Sequence, residues 1–220
     1  MCGRFAQIEP QGAIIKTFFI DEVLAEAPPG YNISPGSNIL SVVRREGKRL
    51  LVDFQWGLIP RWSREPAIGH KLINARAETV HQKPSFRDAF KSRRCIIVAS
   101  GYYEWKKSES IKIPYYIKLA SGSSFAFAGL YETWISPQGA EYRTCTIITT
   151  EPNALMKPIH NRMPVILPRN HEDRWLNDST DPDDVRALLT SYPADEMEAY
   201  PVSTMVNSPN NNSPDCIKPV

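Results

Sequence analysis

Residue 2 of the chain is a cysteine, in the opening Met1-Cys2-Gly3-Arg4-Phe5. Loss of Met1 leaves Cys2 with a free α-amine and a thiol on adjacent carbons. Ordinary pKa values are about 8 for the amine and about 8.5 for the thiol, so a useful minority of each is deprotonated at neutral pH. Such a 1,2-aminothiol has one distinctive reaction. Its amine condenses with an aldehyde, the thiolate closes onto the imine, and a five-membered thiazolidine results. Three other places combine a reactive polar side chain with an awkward backbone: Asn74-Ala75-Arg76, Glu104 behind Gly101, and His160 in a loop ahead of an apolar run. An imidazole exchanges protons near neutrality. A carboxylate suits the proton transfers of imine formation, and an amide hydrogen-bonds a hydroxyl or amine without changing charge. Each signal alone is weak. A lone histidine more often makes a structural bond, and a glutamate before a tryptophan is usually a strand end. A Cys/His pair also suits a cysteine peptidase or amidohydrolase, with self-removal of Met1 among its reactions.

The elements that must bring these residues together are mostly short strands. Ala13 to Phe19 carries apolar residues at helical spacing and predicts a helix running toward Ala25, stopped by Pro28-Pro29-Gly30. Ile39 to Val43 and Leu50 to Trp56 read as a β-hairpin. Trp56 ends a strand and belongs to the core, whereas Trp62 follows in a Gly/Pro loop beside Arg61 and Arg64, as an exposed stacking platform would. Ser85 is placed to cap a short helix through Phe86 and Phe90. Cys95 to Ala99, Pro114 to Leu119, Phe125 to Tyr131 and Tyr142 to Thr150 read as further strands, with Lys106 to Lys112 as a charged turn. Short helices follow around Glu172 to Leu176 and Asp183 to Leu189, the second begun by Asp181-Pro182. Residues 208–220 are rich in Asn, Pro and Ser and predict an extended tail. The expectation is one α+β domain over residues 1–220, a distorted antiparallel β-barrel with peripheral helices.

Composition narrows the function classes. The chain has 220 residues, 42% hydrophobic and 23% charged, as an ordinary globular protein does. No apolar run approaches membrane length, and no signal peptide is read. Cys2, Cys95, Cys145 and Cys216 form no CxxC pair, which argues against a zinc knuckle and fits reduced thiols in a cytoplasmic setting. Net charge is only +2, but residues 60–94 sum to +6 and residues 172–198 to −7. The basic stretch suits an anionic partner, unless the acidic one simply balances it.

MCGRF, YNISPG, WGLIP, INARAET, GYYEW and IHNRMPVIL occur in that order, from Cys2 to Leu167. Together they resemble the SOS-response-associated peptidase, or abasic-site-processing, family, whose members include DNA–protein cross-linking proteins. The resemblance implies a barrel with a basic cleft for single-stranded DNA and a Cys2 that bonds to the ring-opened aldehyde of an abasic site. It implies that Asn74, Glu104 and His160 complete the active site, and that Arg4 and Arg76 contact phosphate. Pro35 and Trp62 fall where family members wedge or stack against DNA, and Arg162 of IHNRMP joins the DNA-binding set. Ser63 stands where the family often has a second aromatic. No metal or organic cofactor is expected, no membrane partner, and a monomeric state. The alternatives are the cysteine peptidase above and a non-covalent single-stranded DNA binder.

Overall fold

The computed structural model describes residues 2–109 and 111–220. In chain order the strands are β1 (Phe5–Gln7), β2 (Glu22–Val23), β3 (Gly30–Ile33), β4 (Asn38–Arg45), β5 (Lys48–Trp56), β6 (Asn74–Arg76), β7 (Arg94–Ala99), β8 (Gly101–Ser108), β9 (Ile111–Leu119), β10 (Phe125–Ile135), β11 (Glu141–Thr150), β12 (Met163–Pro164), β13 (Ile166–Leu167) and β14 (Met197–Pro201). The α-helices are α1 (Gln11–Phe18), α2 (Arg87–Ser92), α3 (Glu172–Leu176) and α4 (Pro182–Ala187).

Five strands close on themselves in the order β11-β10-β7-β4-β5 and back to β11. Four of these pairings are antiparallel. The closing seam is parallel, setting Thr144 against Gln55 and Cys145 against Trp56. The barrel, the surrounding helices and the α+β class agree with the sequence expectation. Both faces of the barrel strands are buried, so they read as unbroken apolar runs rather than alternating ones. Along β7, Ile96 and Val98 join a core cluster with α1, α2 and α3, through Phe18, Phe90 and Trp175. Cys95, Ile97 and Ala99 belong to a second cluster with Phe5, Trp56, Tyr102 and Phe127. A second sheet, ordered β14-β9-β8-β1-β3, lies against this second face. It carries the N-terminal strand.

Three local expectations need correction. Helix α1 stops at Phe18, because Phe19 turns into the left-handed region (φ 52°) and the next residues become β2 on the β5 edge. Ser85 makes no cap; α2 starts behind Phe86 without a side-chain bond. Asp181, by contrast, accepts from the Asp183 N–H as read. The tail is not extended. It forms 3₁₀ turns at Thr204–Asn207 and Pro214–Ile217. Its polar composition supplies specific bonds: the buried Asn32 donates to the carbonyls of Val206, Ser208 and Asn211, and Asn212 accepts from the Tyr31 and Asn32 N–H groups.

Candidate active site

Strand β1 sits between β8 and β3, pairing Phe5 with Tyr102 on one side and with Ile33 on the other. That register carries Cys2 alongside the middle of β8, where Glu104 lies, and the Tyr103 N–H donates to the Arg4 carbonyl to hold it. A Cβ at Gly101 would land on the Tyr116 ring, so only glycine lets β8 start there. Asn74 comes from β6, which pairs in parallel with β11. The preceding residue is anchored from the core: the Trp56 indole N–H donates to the Ile73 carbonyl at 2.9 Å. Asn74 Nδ2 then donates to the Cys2 carbonyl at 2.7 Å. Asn74 Oδ1 is buried and has no partner among the described residues.

His160 arrives on the loop between β11 and β12. That loop is wound by bonds from Met156 to Asn153 Oδ1 and from the His160 N–H to the Met156 carbonyl. Its Nδ1 lies 3.1 Å from both the N–H and the carbonyl of Arg162, so the ring finds a backbone partner in either protonation state. Its Nε2 faces Glu104 Oε2 at 3.8 Å. The imidazole therefore makes a structural bond within its own turn and also meets the carboxylate.

Burial shifts the pKa of both Cys2 and Glu104 upward. Cys2 is fully buried. Burial and, next, the Glu104 charge push its thiol well above the ordinary range, against a bond from the Arg4 N–H. Glu104 is 3% exposed. Burial raises its carboxyl above 4.5, with His160 among the groups pulling the other way.

The arginines divide. Arg76 is exposed, two residues beyond Asn74. Arg4 is committed inside the protein: its guanidinium donates to Asn32 Oδ1 at 2.7 Å and to the Val206 carbonyl at 2.8 Å. Arg162 forms a bidentate pair with Glu78 at 2.7 and 3.0 Å and donates to the Thr149 carbonyl at 2.6 Å. Both are braces in this conformation rather than free phosphate hooks. Burial pushes Glu78 up, but the Arg162 bonds and charge outweigh it, and the net shift is down. Pro35 lies two residues beyond the Phe5–Ile33 pair, just past the end of β3. Trp62 is 56% exposed and lines a hollow with Arg64 and Lys71.

The acidic segment does not neutralise the basic one. Within the described residues Arg94–Asp178 is the one ion pair between them. Arg61 and Arg93 instead share the buried Glu132. Arg64, Lys71, Arg76, Lys83 and Lys91 are exposed, and no ion pair among the described residues involves them. The sequence reading missed the groove beside the Glu104–His160 pair, lined also by Trp105, Lys107, Lys112 and Asn207. Reading 106–112 as a turn hid it, because β8 and β9 run on to Ser108 and from Ile111. The described residues contain no group of three His, Cys, Asp or Glu able to hold a metal ion, and no helix is long and apolar enough to cross a membrane. All four cysteines are buried and free.

A closed five-stranded barrel whose second residue, a buried cysteine, is gripped by an asparagine and neighboured by a glutamate that contacts a histidine is the class of protein that emerges. Comparison with known proteins places it further. The family described as SOS response associated peptidase (SRAP) matches residues 1–209, and the chain belongs to it. Its relatives include the Bacillus subtilis "abasic site processing protein YoqW", 52% identical over 99% of both chains. The Xenopus tropicalis "abasic site processing protein HMCES" is 34% identical over 86% of this chain and 65% of its own. A solved protein of Bacteroides thetaiotaomicron superposes over the full length of both chains with TM-score 0.89 at 30% identity.

Proposed function

We propose that the protein processes abasic sites in single-stranded DNA by bonding to them covalently through Cys2 after Met1 has been removed. An abasic deoxyribose equilibrates between a closed hemiacetal and an open aldehyde. The α-amine of Cys2 adds to the aldehyde carbon, the carbinolamine loses water, and the resulting imine is attacked by the thiol sulfur. The sulfur's proton passes to nitrogen, and the product is a thiazolidine plus one water, with no oxidant or metal consumed. Imine formation precedes ring closure in this scheme, and the upward push of burial and the Glu104 charge on the thiol, which disfavours its thiolate, is consistent with that order.

The observation that carries this reading is the bond from Asn74 to the Cys2 carbonyl, at 2.7 Å, beside a Glu104 that contacts His160 and whose charge acts on the Cys2 thiol. Asn74 fixes the main chain beside the amine. Glu104 takes the proton from the attacking amine, its raised pKa bringing it toward the working pH. His160, at the more open end of the pair, serves the sugar oxygen as the ring opens and returns a proton when the adduct breaks down. The names of the relatives support the substrate class. Arg76 and the Trp62 loop, with Arg64 and Lys71, supply phosphate contacts and a stacking face.

The test is a denaturing gel with a uracil-containing oligonucleotide, treated or not with a uracil glycosylase. A slow-migrating band confined to the treated lane is expected, absent in Cys2→Ala and in protein that keeps a residue ahead of Cys2. Peptide hydrolysis without any DNA adduct would overturn the reading in favour of a cysteine peptidase. Reversible binding alone would leave a plain DNA binder.

A further inference from the structure

Strands β8 and β9 set Lys107 directly opposite Lys112. Like charges facing each other across an antiparallel pair are destabilising. Both lysines are exposed, and neither ammonium group is in a hydrogen bond or ion pair with any described residue. Nor are they a detached hairpin tip. They line the groove whose other walls are Glu104, His160, Trp105 and Asn207. The groove is built: the Trp105 indole N–H donates to Asn207 Oδ1 at 2.7 Å, joining the β8 wall to the C-terminal segment. The partly exposed Trp105 ring is thereby fixed next to the two ammonium groups. A pair of unneutralised cations, held together at some cost beside an aromatic ring and opening onto a carboxylate–imidazole pair, is an anion site awaiting a ligand. The hollow of Trp62, Arg64 and Lys71 shares no residue with it.

We propose that Lys107 and Lys112 form a second phosphodiester lane, which holds the DNA strand on one side of the reacting nucleotide while the Trp62 hollow and Arg76 hold the other. The inference rests on the abasic-site reading above and adds the path of the strand. Two lanes on separate elements would fix the strand on both sides of the sugar, so that its aldehyde cannot swing away from Cys2.

The experiment compares the parent with Lys107→Ala/Lys112→Ala and Lys107→Arg/Lys112→Arg. Reversible binding is measured on single strands carrying a tetrahydrofuran abasic analogue, which has no aldehyde and cannot cross-link. The oligonucleotides extend on both sides of the analogue, on its 5′ side alone, or on its 3′ side alone. Losing two phosphate contacts on a single strand should lower the slope of log K against log salt by about 1.4, which at 0.1 M salt is a roughly 25-fold loss of affinity. The loss should appear with the two-sided strand and with one of the one-sided strands, vanish with the other, and be restored by the arginine pair. Equal salt slopes for the alanine variant and the parent would overturn the proposal. So would an equal loss on both one-sided strands, which would mean general attraction rather than a lane. Cross-linking of true abasic DNA by the parent is the control: its absence would sink the abasic-site reading itself, whereas a cross-linking parent with an unaffected double variant sinks only the second lane. Removing the opposed charges should leave the melting temperature unchanged or higher, so weaker binding cannot be put down to misfolding.

Discussion

Replacing Asn74 by alanine is the most direct probe of how Cys2 is aimed. The variant removes one amide-to-carbonyl bond of 2.7 Å, between residues 72 positions apart. A neutral bond of this kind contributes about 0.5–1.5 kcal/mol net. If all of it serves to hold the Cys2 main chain in its reactive orientation, the single-turnover rate of cross-linking at saturating DNA falls by about 2- to 12-fold. The same energy lowers the melting temperature by only a few degrees in a chain of this size. Asn74→Asp should be worse than alanine, because it puts a carboxylate oxygen against the Cys2 carbonyl and adds a negative charge near the buried Glu104. The unpartnered Oδ1 separates two roles: if it also binds the sugar, the Kd for reversible binding to abasic strands rises together with the rate loss. Rates are read from quenched time points on a denaturing gel. An alanine variant with a lower melting temperature but a parental rate would refute the reasoning, since Asn74 would then be a structural bond that merely happens to end on Cys2.

Other consequences follow from the same geometry. Burial raises the folded-state pKa of Glu104 above 4.5, so the folded protein holds this proton more tightly than the unfolded chain, and the parent loses stability as pH rises through that window. Thermal melts of Glu104→Gln should therefore match the parent below about pH 4, where both carboxyl forms are neutral, and exceed it at pH 7, while its cross-linking slows by about 10²-fold or more. Glu78→Ala leaves Arg162 without its bidentate partner; because Arg162 holds the His160 ring through its own backbone, cross-linking and adduct release should both slow by several-fold, which a retained parental rate in both assays would contradict. The pair's stabilisation should also fade as pH falls toward the depressed Glu78 value, a slope absent from Glu78→Gln melts. Gly57→Ala should displace the loop that carries Trp62. Gly57 has φ 135°, and an added Cβ would sit 2.8 Å from the Gly69 carbonyl oxygen. A loss of about 1–3 kcal/mol in denaturant melts and weaker single-strand binding are expected, with the rate at saturating DNA little changed.

What the sequence disclosed, and what it hid, has physical causes. The barrel strands were readable because both their faces are buried, so runs such as Cys95 to Ala99 carry no polar interruption. Cys2 was readable as chemistry because an aminothiol is rare and reactive whatever surrounds it. Its neighbours were readable only through the resemblance, since Asn74, Glu104 and His160 meet through strand register and a loop, which leave no local periodicity. Arg4 and Arg162 show the limit. The resemblance puts Arg4 among the phosphate contacts and Arg162 in the DNA-binding set, but what each guanidinium bonds depends on Asn32 and Val206, or on Glu78 and Thr149, from 13 to 202 positions away. The tail misled for the same reason: its Asn, Pro and Ser content read as an extended segment, but Asn212 accepts from the Tyr31 and Asn32 N–H groups of β3.

The parallel seam that closes the barrel sets a timetable for the protein's own reactivity. Contacts across it join residues such as Arg143 and Asp53, 90 positions apart, and pairings of that range form late in folding because a long loop must close first. Strand β6 can add to β11 only beside that seam, so Asn74 has no Cys2 carbonyl to grip until the barrel has shut. On the proposed reading, a half-folded chain that has lost Met1 would carry the Cys2 aminothiol unaimed and without the Glu104–His160 pair. Aldehydes met along the way, including small metabolic ones, would find a nucleophile no better than a free cysteine. On the proposed reading, the groups that would direct Cys2 to a sugar aldehyde come together only once the long-range strands have paired.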